Sequence, residues 1–411
     1  MTGPATSGRA ASRASLALGN LRAVVILLVL SFHSVLAYLS FLPPAPFAFD
    51  SPPYLWRAFP IVDSRRWFGF DLYCAWQDVF LMSLFFFLSG LFVWPSLTRK
   101  DTGWYLHDRL RRLGLPFVLS VALLMPAALY PTYLQTAADR GVLAYVRHWL
   151  ALPFWPCGPM WFLWLLLVAD IAAAGFYAWL PRSRILPTNL AAAAERSPVQ
   201  FFLGVAIASV LAYSALALAF GSSDWGQWGP FAFQLCRPAH YAVYFFAGVA
   251  AGARGIGGRL FAAEGPLAGR WRAWLGAALA SFLLWLTLTA ALLRGDGAPV
   301  GLAVADYVSF ALACFASCFF VLAAILRFGA VRSPLLKGLG VNAYAMYLVH
   351  YLFVVWLQYA LLGAALPAII KGALVFAGTL VASWGSTAGC RALAPMLHYI
   401  AASRWRRAAA S

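Results

Sequence analysis

Long apolar runs alternate with short polar stretches along the chain. Ten runs read as candidate spans: 20–41, 75–97, 113–133, 159–180, 199–220, 237–254, 272–293, 300–327, 341–363 and 369–395. Each is near or above the ~18 apolar residues that mark a membrane helix. Stretches rich in Pro, Gly and charge punctuate them. The pattern predicts an all-α polytopic membrane protein, a bundle of about ten transmembrane helices. An even count puts both termini on one side. The expected layout is an N-terminal arm 1–19, an integral membrane domain 20–395 and a C-terminal tail 396–411.

Charge chooses the side. The N-terminus, the loops 98–112, 181–198, 255–271 and 328–340, and the C-terminus form one set, which with its flanking span ends holds 21 of the 30 Lys and Arg. The opposite set holds eight: Arg57, Arg65, Arg66, Arg140, Arg147, Arg237, Arg294 and Lys371, with Arg391 inside the last span. Basic residues are retained on the cytoplasmic side, so both termini are expected there. No clear cleavage site follows the basic first 19 residues, which predicts an uncleaved first span. A bacterial-type inner membrane is the expected location.

Composition agrees. The 411 residues are 63% hydrophobic and 10% charged, beyond what soluble domains show. The net charge of +17 follows from the cytoplasmic loops, and no nucleic-acid signature accompanies it, so no nucleic-acid partner is expected. The six cysteines form no CxxC pair, and neither a metal site nor a disulfide framework is expected. No Gly-rich phosphate motif precedes a helix, which argues against ATP and dinucleotides. No inverted pair of broken helices supports the rival reading, a transporter of a glycan or lipid-linked intermediate.

The candidate chemistry begins at "NLRAVVILLVLSFHSVLAY". Arg22 and His33 are eleven residues apart, three helical turns plus about 20°, so they share a face and lie roughly 16 Å apart along the axis. A mid-membrane ionisable group is costly against lipid, so that face should point inward. His350, in "VNAYAMYLVHY", falls at a similar depth. Two imidazoles at one level suggest a shared site with a general base. Ser89, on the face of Asp78, could donate a hydrogen bond to a ligand. Arg109 and Arg112, three apart on an expected helix, could bind phosphate. The extracytoplasmic loop 42–74 mixes prolines, aromatics and acids, as a sugar-binding mouth or an interfacial belt would. Asp63, Asp71, Asp78 and His240 are the acceptor-side candidates.

Together, Arg then His in the first span, "FFFLSG", "RLRRL" before "LPF", "GPMWFLWLLL" and "NAYAMYLVHY" resemble the type-three membrane acyltransferase family across nearly the whole chain. The chain also resembles the branch that decorates periplasmic glucans with succinyl groups. The resemblance implies transfer of an acyl group from cytoplasmic acyl-CoA, as donor substrate rather than bound cofactor, to a hydroxyl of an extracytoplasmic carbohydrate. It implies His33 as the catalytic histidine, with Arg22, Arg109 and Arg112 toward the donor. Ser89 and His350 match further recurrent positions.

Overall fold

The computed structural model describes residues 4–179, 186–294 and 299–408. The ends of the expected arm and tail (1–3 and 409–411), part of the expected loop 181–198 (181–185) and residues 295–298 lie outside the described residues. In chain order the main elements are α1 (Pro4–Val35), α2 (Phe68–Gly90), α3 (Val93–Leu97), α4 (Thr102–Leu134), α5 (Val142–Ala151), α6 (Trp161–Trp179), α7 (Leu186–Arg196), α8 (Pro198–Phe220), the antiparallel hairpin β1 (Trp225–Trp228) and β2 (Phe231–Gln234), α9 (Pro238–Gly252), α10 (Trp271–Arg294), α11 (Val300–Phe328), α12 (Pro334–Ala360) and α13 (Ala368–Ala408).

Among the described residues, nine helical segments are long and apolar enough to cross a membrane, and they match nine of the ten expected spans. The expected sixth span, 237–254, corresponds to α9. Its 15 residues give about 22 Å, short of the ~30 Å hydrocarbon core.

The third span differs more. It begins at Thr102 rather than 113, because Asp101 caps it by accepting the Gly103 N–H at 2.9 Å. Two π turns, Leu110–Gly114 and Ser120–Leu124, interrupt α4. Each precedes a proline, Pro116 or Pro126. A proline lacks the N–H and crowds the carbonyl four residues back, and a widened turn relieves both.

The chain forms two compact units. One comprises the chain up to Leu21, Leu72–Leu123 and Ala151–Arg332. Within it, α2 and α9 meet backbone to backbone. A Cβ at Gly90 would collide with the Phe245 carbonyl oxygen, one at Gly248 with that of Phe87, and one at Gly252 with that of Leu91. This is small-residue packing, which lets helices approach where lipid supplies no hydrophobic drive. At the end of α11, the Asn20 side chain donates to the Gly329 and Val331 carbonyls, both at 2.7 Å.

The second unit comprises Arg22–Asp71, Leu124–Leu150 and the chain from Ser333. Its α12 buries Leu339, Asn342, Met346, His350, Val354 and Gln358, which recur at three- and four-residue steps and so line one stripe. Trp356 donates from its indole to the Ala127 carbonyl at 2.9 Å, tying α12 to the end of α4.

Gly90→Ala should destabilise the protein by about 1–3 kcal/mol through overpacking. Gly276→Ala, on α10 with nothing within 4 Å of the added methyl, should leave stability unchanged or slightly raised. Thermal unfolding in detergent, followed by circular dichroism, compares them; equal melting would contradict the seam.

Candidate active site

His33 lies two residues before the end of α1, and His350 lies midway along α12. Their ring centroids are 4.9 Å apart at 62°. His33 Nδ1 is 2.9 Å from the Val29 carbonyl oxygen, and His350 Nδ1 is 2.6 Å from that of Tyr347. A carbonyl oxygen only accepts, so each Nδ1 carries its ring's proton. His350 Nε2, 3.4 Å from His33 Nδ1, therefore presents a lone pair to a hydrogen that His33 already directs at Val29. His33 Nε2 is left as a lone-pair nitrogen. The rings of Phe32 and Tyr351 stand edge-on to His33, at 5.3 and 5.5 Å. His350 is fully buried, whereas His33 keeps partial exposure.

Gln358 fixes this end of α1. Its Nε2 donates to the His33 carbonyl at 2.9 Å and the Ser34 carbonyl at 3.2 Å. Both belong to the last turn, whose carbonyls have no partner within the helix. A buried glutamine on the stripe of His350 thus caps the helix that carries His33. The sequence reading missed it. Its only signal was a lone amide late in an apolar span.

The other expected residues divide by environment. Arg22 is exposed on α1. Ser89 is half-buried beside the Gly90 contact. Arg109 and Arg112 do not act as a matched pair. Arg109 lies 3.5 Å from Asp170 and stacks over the Tyr105 ring at 4.9 Å. Arg112 is 66% exposed and pairs with Asp108 at 2.9 Å. The expectation that they face one way assumed regular α-helical turns, and a π turn begins directly after Arg109. Asp170, only 2% exposed, also accepts from the Tyr105 hydroxyl at 2.5 Å. This acid within an apolar span escaped the sequence reading.

Two acceptor-side candidates are corrected. Asp63 is sealed in an ion pair with Lys371, 2.7 Å apart with both side chains 0% exposed, and its other oxygen accepts the Arg65 N–H. His240 is fully buried. Its Nδ1 is 3.3 Å from the Ser209 carbonyl and its Nε2 is 3.3 Å from Cys314 Sγ. Neither lines an open mouth, because each polar atom is spent on the fold. Asp71 accepts the Ser40 and Phe41 N–H groups and so holds the turn after α1. Asp78 stays half-exposed while binding the buried Arg237 at 2.7 Å.

Part of the aromatic loop serves packing as well. Phe49 and Trp56 stack at 4.7 Å and 10°, both buried, and Phe49 meets Tyr133 and Tyr145. Burial raises the Tyr145 phenol above its ordinary value, and its hydroxyl donates to the Pro126 carbonyl.

Apolar spans, two of which carry an oriented imidazole pair, define a multi-pass membrane protein. A family described as "Acyltransferase domain" (Acyl_transf_3) matches residues 16–388, and the chain belongs to that family. Among curated proteins it is similar to "Glucans biosynthesis protein C" of Salmonella typhi and of Salmonella typhimurium. Each is 24% identical over 177 residues, covering 42% of this chain and 45% of the relative. The chain thus spans about half the length of the curated relatives it matches. No solved structure matches it.

Lys371→Met should cost about 3–5 kcal/mol by stranding the Asp63 carboxylate, and adding Asp63→Leu should recover most of the loss. Melting temperatures of the single and double variants measure both effects. A single variant as stable as the parent would show that the pair contributes nothing.

Proposed function

We propose that the protein is a membrane O-acyltransferase that moves an acyl group from cytoplasmic acyl-CoA to a hydroxyl of an extracytoplasmic carbohydrate, a glucan by analogy with the relatives' name. The carrying observation is the imidazole pair, with both Nδ1 protons fixed on carbonyls and His33 Nε2 left as the base. The acceptor hydroxyl gives its proton to that nitrogen as its oxygen attacks the thioester carbonyl. The carbon–oxygen bond forms, the carbon–sulfur bond breaks, and the CoA thiolate leaves and takes up a proton. A base is needed because a hydroxyl is a weak nucleophile near neutral pH. His350 positions His33 and is a second candidate in the chemistry.

The donor enters from the face that the basic loops assign to the cytoplasm. Arg22 and the exposed Arg112 are candidates for its phosphates, since guanidinium groups bind phosphate bidentately. Arg109, held by Asp170 and Tyr105, and Ser89 are further donor-side candidates. Asp71 and Asp78 remain acceptor-side candidates. The charge bias of the loops supports both termini in the cytoplasm, and the bacterial source of the named relatives supports a bacterial-type inner membrane.

His33→Ala and His33→Gln should each lower acyl transfer by about 10²–10⁴-fold at unchanged membrane abundance. His350→Ala should lose activity as well. The assay follows thiol release from acetyl-CoA or succinyl-CoA and the mass shift of envelope carbohydrate. Donor-dependent product retained by both His33 variants would sink the reading, and glycan export without acylation would point to a transporter.

A further inference from the structure

A groove of about 330 Å³ runs between Arg65, Arg66 and Trp67, in the loop that leaves α1, and residues 365–369, where α12 gives way to α13. Both walls belong to the second compact unit, the one that holds His33 and His350.

The first wall is laid against the end of α1. Asp63 and Trp67 donate their N–H groups to the Ala37 and Tyr38 carbonyls, both at 3.0 Å. The two walls are locked to each other from beneath: Asp63, two residues before Arg65, forms the sealed ion pair with Lys371, two residues after Ile369. Next to Lys371, a Cβ at Gly372 would stand 3.3 Å from the Val35 side chain, so the start of α13 also seats on the last residue of α1. From His33 to Tyr38 the chain runs two α-helical and three 3-10 steps, about 9 Å. Groove and imidazole pair are neighbours at one helix end, whichever compartment that end faces.

Trp67 is 45% exposed. Phe70 meets it at 4.9 Å and 87°, and Gly69 leaves it room, since a Cβ there would collide with the indole. The indole is held and still keeps open surface. Arg65 is exposed; its N–H donates to Asp63 Oδ1 at 2.8 Å, while its guanidinium makes no hydrogen bond or ion pair among the described residues. Arg66 is spent on the loop, donating to the Leu42 and Pro43 carbonyls. Leu366, Pro367 and Ile369 make the opposite wall apolar.

A sugar ring has an apolar C–H face, which packs on an aromatic plane, and a rim of hydroxyls, which accept from a guanidinium. The volume is that of a small-molecule site. Lipid chains adapt to any surface and would not need two walls fixed by a buried ion pair, whose charges are costly to desolvate.

We propose that this groove is an acceptor subsite, holding a stretch of gluco-oligosaccharide while a hydroxyl on a neighbouring sugar reaches His33, an assignment that rests on the acyl-transfer reading above. One ring cannot fill the groove and reach the imidazole together, so the groove acts on chains and not on glucose.

The test uses the full chain in detergent, with maltopentaose, laminaripentaose and glucose as acceptors. Saturation-transfer NMR should find a pentasaccharide bound to the parent, about tenfold more weakly to Trp67→Ala and Arg65→Gln, and near parent strength to Trp67→Phe. In turnover with acetyl-CoA or succinyl-CoA, both weakened variants should raise KM for that pentasaccharide while kcat, and KM for glucose, hold. No pentasaccharide binding by the parent, binding unchanged in both variants, or equal losses with glucose and pentasaccharide would overturn the groove assignment and leave acyl transfer intact. Phospholipid that co-purifies with the parent and is lost from Arg65→Gln, with pentasaccharide binding unchanged, would make the groove a lipid site instead. Pentasaccharide binding that depends on Trp67 and Arg65, with no acylated product from any acceptor, would overturn the acyl-transfer reading and leave a carbohydrate groove.

Discussion

A polar group inside a bilayer has no water to return to, so the protein must satisfy it or leave it unsatisfied for a purpose. Most of the interior obeys the first clause. Asp63 has Lys371, Asp170 has Tyr105 and Arg109, and Arg237 has Asp78. The last carbonyls of α1 have Gln358. At His33 one ring nitrogen is spent on Val29 and the other is kept back.

That difference separates a candidate base from a structural histidine. His240 shares residue type and apolar surroundings with His33. Both its nitrogens face protein atoms, its side chain is sealed, and Tyr213 and Tyr244 pack against it. His33 is oriented as firmly but stays partly open. Residue type and apolar surroundings alone would rank the two alike, and exposure with the hydrogen-bond inventory ranks them apart.

The sequence disclosed whatever depends on distance along one helix. Apolar run lengths located nine spans, and the eleven-residue interval between Arg22 and His33 follows from one continuous α1. What it hid depends on partners far apart in the chain. His350 lies 317 residues from His33, and Lys371 lies 308 from Asp63. Polarity revealed these groups, but nothing local distinguished an acid consumed by a lysine from one awaiting a substrate. The expectation that Arg109 and Arg112 face one way rested on a fixed angle per residue, and a π turn begins between them, so their partners differ.

The contact between α2 and α9 behaves unlike the rest of the molecule under change. An ion pair can be swapped for an apolar pair, and a cap can be replaced by another cap. At Gly90, Gly248 and Gly252 the fit consists of missing atoms, and every other amino acid brings some. Drift at these three sites has no compensating second step short of moving a whole helix, so they act as a ratchet that holds the distance between two backbones while their neighbours are free to vary.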